Sequence, residues 1–81
     1  RDTMVVTDVN LISIAELNEP MRACVKTRYH HQEAPATLFP HVNGQVLVQF
    51  DTPQRALTPG QAAVFYDGDV VVGGGTILKD R

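Results

Sequence analysis

Short runs of alternating apolar and polar residues recur along the chain, each closed by Gly, Pro, Asn or Asp. That pattern predicts strands rather than helices. The clearest run is Gln45 to Phe50, with Val46, Val48 and Phe50 on one face and Gln45, Leu47 and Gln49 on the other. Ahead of it, Asn43-Gly44 is a two-residue hairpin signal. Thr58-Pro59-Gly60 predicts a turn, because Pro sets one corner near φ −65° and Gly accepts a positive φ at the next. A strand is expected from Gln61 to Tyr66, then a type I′ hairpin turn at Asp67-Gly68. Asp69 to Val72 returns as an almost wholly apolar strand, of the kind covered on both faces. Gly73-Gly74-Gly75 is expected to break it and to allow a sharp bend or a close backbone approach, with Thr76 to Leu78 as a last strand.

The first half reads less sharply. Thr3 to Thr7 predicts a strand, Asp8-Val9-Asn10 a turn, and Leu11 to Ile14 a second strand, with Ser13 to Leu17 as an alternative helical turn. Pro20 closes that segment. Met21 to His31 is the longest strand expected, Ala36 to Phe39 ends at Pro40, and Gln54 to Leu57 is a short strand. The whole amounts to about six to seven short strands with turn signals every ~8–12 residues, an all-β pattern. A small closed or nearly closed antiparallel β-barrel satisfies it best, since closure removes exposed strand edges. The expected core is Val5, Val25, Tyr29, Leu38, Val46, Val48, Phe50, Ala63, Phe65, Val70, Val72 and Ile77.

Eighty-one residues make one domain, residues 1–81, and a chain this short buries only about 60% of its unfolded surface. Cys24 is the single cysteine, so no internal disulfide forms, which fits a reducing cytosol. No apolar run is long enough to span a membrane. A net charge of −2 argues against a free-standing nucleic-acid binder, so any RNA contact must come from a local patch.

The one concentrated positive patch lies on Met21 to His31, where no acid stands between Glu19 and Glu33. Arg22, Cys24, Lys26, Arg28 and His30 share one face, and Ala23, Val25, Thr27, Tyr29 and His31 the other. This places Tyr29 in the core. The basic face reads either as a phosphate-contacting strand or as the ordinary solvated face of an antiparallel sheet. Other chemistry is weak. Cys24 and His30 stand six residues apart, about 20 Å on a strand, and form no nucleophile pair. Cys24, His30, His31 and His41 match no zinc spacing. Gly73 to Gly75 lacks the spacing of a nucleotide loop. No catalytic, metal or cofactor residue is assigned.

Thr58-Pro-Gly-Gln-Ala-Ala-Val-Phe-Tyr-Asp-Gly-Asp, then Gly73-Gly-Gly-Thr-Ile, together with Lys26-Thr-Arg-Tyr and Glu33-Ala-Pro-Ala-Thr, resembles the carboxyl end of bacterial tRNA-specific 2-thiouridylases across roughly Val5 to Leu78. The resemblance implies a barrel like the second domain of elongation factor Tu, carried as the C-terminal fragment of a larger cytoplasmic enzyme. That parent uses ATP to activate the 2-oxygen of the wobble uridine, then replaces it with sulfur relayed through cysteines lying upstream. The implied partners are tRNA at its anticodon region, the upstream catalytic domain and a sulfur-relay donor. The implied RNA-binding residues are Lys26, Arg28 and His30, with Arg22 and Gln32 behind them. The family usually continues Arg-Tyr-Arg-Gln, whereas His30-His31-Gln32 follows Tyr29 here, and Leu11 stands where many members carry an aromatic residue. Two other readings stay open. In one, the barrel only braces a catalytic domain through Val70-Val71-Val72 and its glycines. In the other, it is an unrelated translation-factor-like barrel.

Overall fold

A computed structural model describes residues 2–27, 33–55 and 57–78. Its six strands are β1 (Thr3–Leu11), β2 (Met21–Thr27), β3 (Ala34–Pro40), β4 (Val46–Phe50), β5 (Ala62–Asp67) and β6 (Val70–Ile77). They close into an antiparallel barrel in the order β1-β4-β3-β2-β5-β6. The hairpin-linked β2-β3-β4 unit returns β4 beside β1, a Greek-key arrangement. Each of the six described strands thus has two partners, and none of them presents an open edge.

Three turns set the register. Asn43 (φ 56, ψ 35) and Gly44 (φ 73) are both left-handed, and the Gln45 amide donates to the Val42 carbonyl at 3.0 Å. This is the type I′ geometry that Asn-Gly favours. At Thr58-Pro59-Gly60 the Gly60 φ is 90° and the Gln61 amide donates to the Thr58 carbonyl at 3.2 Å, as expected. The third turn differs from expectation by one residue. Asp67 pairs with Val70, so the loop is Gly68-Asp69, and only Gly68 has positive φ. That is the pattern of a type II′ turn, with glycine first, rather than type I′.

Alternation carries the core. Val46, Val48 and Phe50 of β4 point inward, as do Ala23 and Val25 of β2, and Phe65 at the centre is fully buried. Met4, Val6, Ala23 and Ala36 join a core that the sequence reading omitted them from. Val5 is also buried, but on the face opposite Met4 and Val6. Val70, expected in the core, is 53% exposed because it opens β6 at the barrel rim. Tyr29 lies outside the described residues.

Four expected boundaries are corrected. Thr3–Leu11 is one strand, not two strands around a turn. Asp8 takes φ 52 inside a bulge where β1 leaves β4 and follows β6. Residues 12–15 form bends, neither a strand nor a helical turn. Gln54, Arg55 and Leu57 are not in a strand. Finally, Gly73 to Gly75 do not interrupt the last strand, since β6 runs through them to Ile77. The close approach expected of them is real. A methyl added at Gly73, Gly74 or Gly75 would lie 2.5 Å from the carbonyl oxygen of Asn10, Ala63 or Thr7 respectively.

Candidate nucleic-acid interface

β2 has the two faces that alternation predicted. Ala23, Val25 and Thr27 are buried, Arg22 and Lys26 are exposed, and Cys24 is half-buried between them. The strand is described only to Thr27; Arg28, His30 and Gln32, three of the five expected RNA-binding residues, lie outside the described residues.

Arg22 and Lys26 have different surroundings. The Arg22 guanidinium donates two parallel hydrogen bonds to the Asp51 carboxylate, each 2.7 Å, and a third to Thr37 Oγ1 at 3.0 Å. Thr37 is its register partner on β3, and Asp51 follows the end of β4. One guanidinium therefore straps three strands on the outer surface. Its hydrogen bonds hold the Asp51 carboxyl below its usual range and raise the Arg22 pKa further. Three of its five N–H donors are thereby used and the carboxylate offsets its charge, so a phosphate meets a weaker cation here than at an unpaired arginine. Lys26 is exposed, lies opposite Val64 of β5, and forms no ion pair among the described residues. Sequence reasoning ranked both as cations on one face. It missed Asp51 because that carboxylate is 29 residues away in the chain.

Cys24 and Tyr66 are cross-strand neighbours. With Arg22, Pro35 and Asp67 they line a shallow depression of about 190 Å³. Cys24 is thus neither a fully buried hydrophobe nor beside a described histidine. Among the described residues no group of three His, Cys, Asp or Glu side chains could hold a metal. Gly73 to Gly75 do not fit a nucleotide's phosphates. Strand carbonyls fill the space beside them, so the glycines form barrel wall. No described helix is long and apolar enough to cross a membrane.

The fold is a small six-stranded closed β-barrel with an outward-facing cation on β2, and the chain belongs to the aminomethyltransferase beta-barrel domain family, whose model matches residues 1–77. Within that family it is similar to tRNA-specific 2-thiouridylases, as the sequence resemblance indicated. It is 61% identical over 70 residues to tRNA-specific 2-thiouridylase MnmA of Acetivibrio thermocellus, covering 86% of this chain and 20% of that protein. It is 53% identical over 78 residues to MnmA 1 of Thermoanaerobacter sp., covering 96% of this chain and 21% of the relative. For MnmA of Koribacter versatilis the identity is 55% over 69 residues, 85% of this chain and 19% of the relative. The chain thus spans about one fifth of the length of these relatives.

Proposed function

We propose that this barrel is the C-terminal accessory domain of a cytoplasmic tRNA 2-thiouridylase and helps hold the anticodon region of tRNA. The observation that carries the reading is the similarity to 2-thiouridylases over nearly the whole chain, joined to an exposed lysine at the end of β2 that forms no ion pair among the described residues. Lys26 supplies a point charge to a backbone phosphate, and Arg28, His30 and Gln32 extend the contact along the chain that follows. Arg22 takes a secondary part, since the Asp51 carboxylate offsets its charge and takes two of its five N–H donors. No catalytic step is assigned to the described residues. In this reading ATP activates the wobble uridine 2-oxygen and a sulfur-relay donor supplies sulfur at upstream domains, while the barrel positions substrate.

The test is a heteronuclear NMR titration of the chain with an unmodified anticodon arm. Shifts concentrated from Cys24 through Gln32, and reduced in Lys26→Ala and Arg28→Ala, support the reading. Shifts confined to the opposite wall, or none at low salt, contradict it.

A further inference from the structure

Large apolar side chains are exposed mainly at one end of the barrel. β1 ends there at Leu11, β3 ends at Pro40, and β2, β4 and β6 begin there. Ile12 is 66% exposed, Val42 62% and Val70 53%. The segment between β1 and β2 crosses this mouth. Its Ile14 and Leu17 pack onto the core, and the Ile12 amide is pinned to the Val72 carbonyl at 2.7 Å. Ile12 therefore projects from an anchored backbone. Two clefts flank the crossing segment and share Glu16 and Leu17. One of about 280 Å³ reaches Val9, Leu11 and Pro40, and one of about 310 Å³ reaches Ile14 and Met21.

Acidic side chains outnumber basic ones among the described residues at this end, where His41 shares the first cleft with Glu16. Glu16 and Glu19 line the clefts, Asp67 ends β5 and Asp69 lies in the β5–β6 turn. Arg22, the described cation at this end, is held by Asp51. An acidic rim repels phosphate, so this surface does not suit RNA. It suits protein: exposed apolar side chains framed by acids complement apolar side chains framed by lysine or arginine. The relatives carry this barrel in polypeptides about five times its matched length, which supplies a partner at high effective concentration.

We propose that the mouth formed by Ile12, Val42, Val70 and the segment 12–19 is a docking surface for an apolar, basic-framed segment of the remaining part of a 2-thiouridylase polypeptide. The docking surface is thus the barrel end. It is not the length of the Val70–Val72 strand, because Val72 is fully buried. The inference stands on a different wall and a different charge from the RNA reading, and either can fail alone.

Hydroxyl-radical footprinting tests it on two samples: the chain alone, and the chain grafted in place of the matched residues of the Acetivibrio thermocellus relative. Labelling of Ile12, Val42 and Val70 is expected to fall several-fold in the graft, while Leu47 on the outer wall is unchanged. Glu16→Lys with Glu19→Lys is expected to restore the labelling. Equal labelling in both samples overturns the proposal. So does protection that already appears in the chain alone at rising concentration, which would mean a second copy occupies the mouth. Protection indifferent to the charge reversals overturns the basic-partner assignment.

Discussion

Gly74→Ala is the sharpest test of how the last strand is packed. Gly74 pairs with Val64 of β5 and Asn10 of β1. An added methyl would meet the Ala63 carbonyl oxygen at 2.5 Å, the Val64 Cα at 3.4 Å and the Ala63 carbonyl carbon at 3.5 Å. All three atoms are backbone, and β5 is laddered to β2 on its other side, so no side chain can swing away. Relief requires β5 and β6 to separate by several tenths of an ångström. Overpacking of this kind costs about 1–3 kcal/mol, and the rigidity of the obstacle puts Gly74 in the upper part of that range. The alanine recovers about 0.4–1 kcal/mol by restricting the unfolded chain. A net loss of about 1–2 kcal/mol remains, against a total stability of roughly 4–12 kcal/mol for a domain of this size. The melting temperature should fall by about 5–15 °C. Thermal and urea unfolding followed by far-ultraviolet circular dichroism measures both, with an unchanged m-value showing that the barrel is still the folded state. Gly68→Ala is the control. It meets nothing within 4 Å but must hold φ +61, so its cost of about 1 kcal/mol is backbone strain alone. A Gly74→Ala protein as stable as the parent would refute the close strand approach.

Other expectations follow from the same geometry. Thr27 is 5% exposed and its hydroxyl has no hydrogen-bond partner among the described residues. Thr27→Val should therefore stabilise the barrel by about 1 kcal/mol in the urea assay; destabilisation would show that the hydroxyl is satisfied in solution. Asn43→Val places a β-branched residue at φ 56 and should cost about 1–2 kcal/mol in the same measurement. The Asp51 pKa is lowered in the fold, chiefly by the hydrogen bonds from Arg22 and also by its charge. The stability this contributes is present above the ordinary carboxyl value of 3.8 and is lost as pH falls through the depressed folded value. Asp51→Asn should thus melt below the parent at pH 7 and low salt, and the gap should close on acidification and shrink with salt. A gap that does not narrow on acidification would contradict this origin.

Much of the barrel was legible because its turns announce themselves. Asn43-Gly44 and Pro59-Gly60 each demand a positive φ that few other pairs supply, and they fixed where strands begin. The parity of β2 and β4 was readable because one side of each faces the core. What failed was whatever depended on distant partners. Asp8 reads as a turn residue, yet its left-handed φ makes a bulge that lets one strand serve two neighbours. The three glycines read as a break, yet they are what allows β6 to lie against β1 and β5. Val70 has the composition of a core residue and the position of a rim residue. At the candidate site, the outward face of β2 was correct, but the Asp51 partner that separates Arg22 from Lys26 comes from another strand's end.

The most direct test of the central claim is the affinity of the 81-residue chain for an unmodified anticodon arm across a salt series, with Lys26→Ala and Arg28→Ala beside it. The account predicts measurable binding at low salt that weakens as salt rises. Each substitution should weaken it further and reduce the slope of log K against log salt by about 0.7–1. Binding that is absent at low salt, or that loses nothing in either variant, would contradict an RNA-holding role for β2 and the chain that follows it.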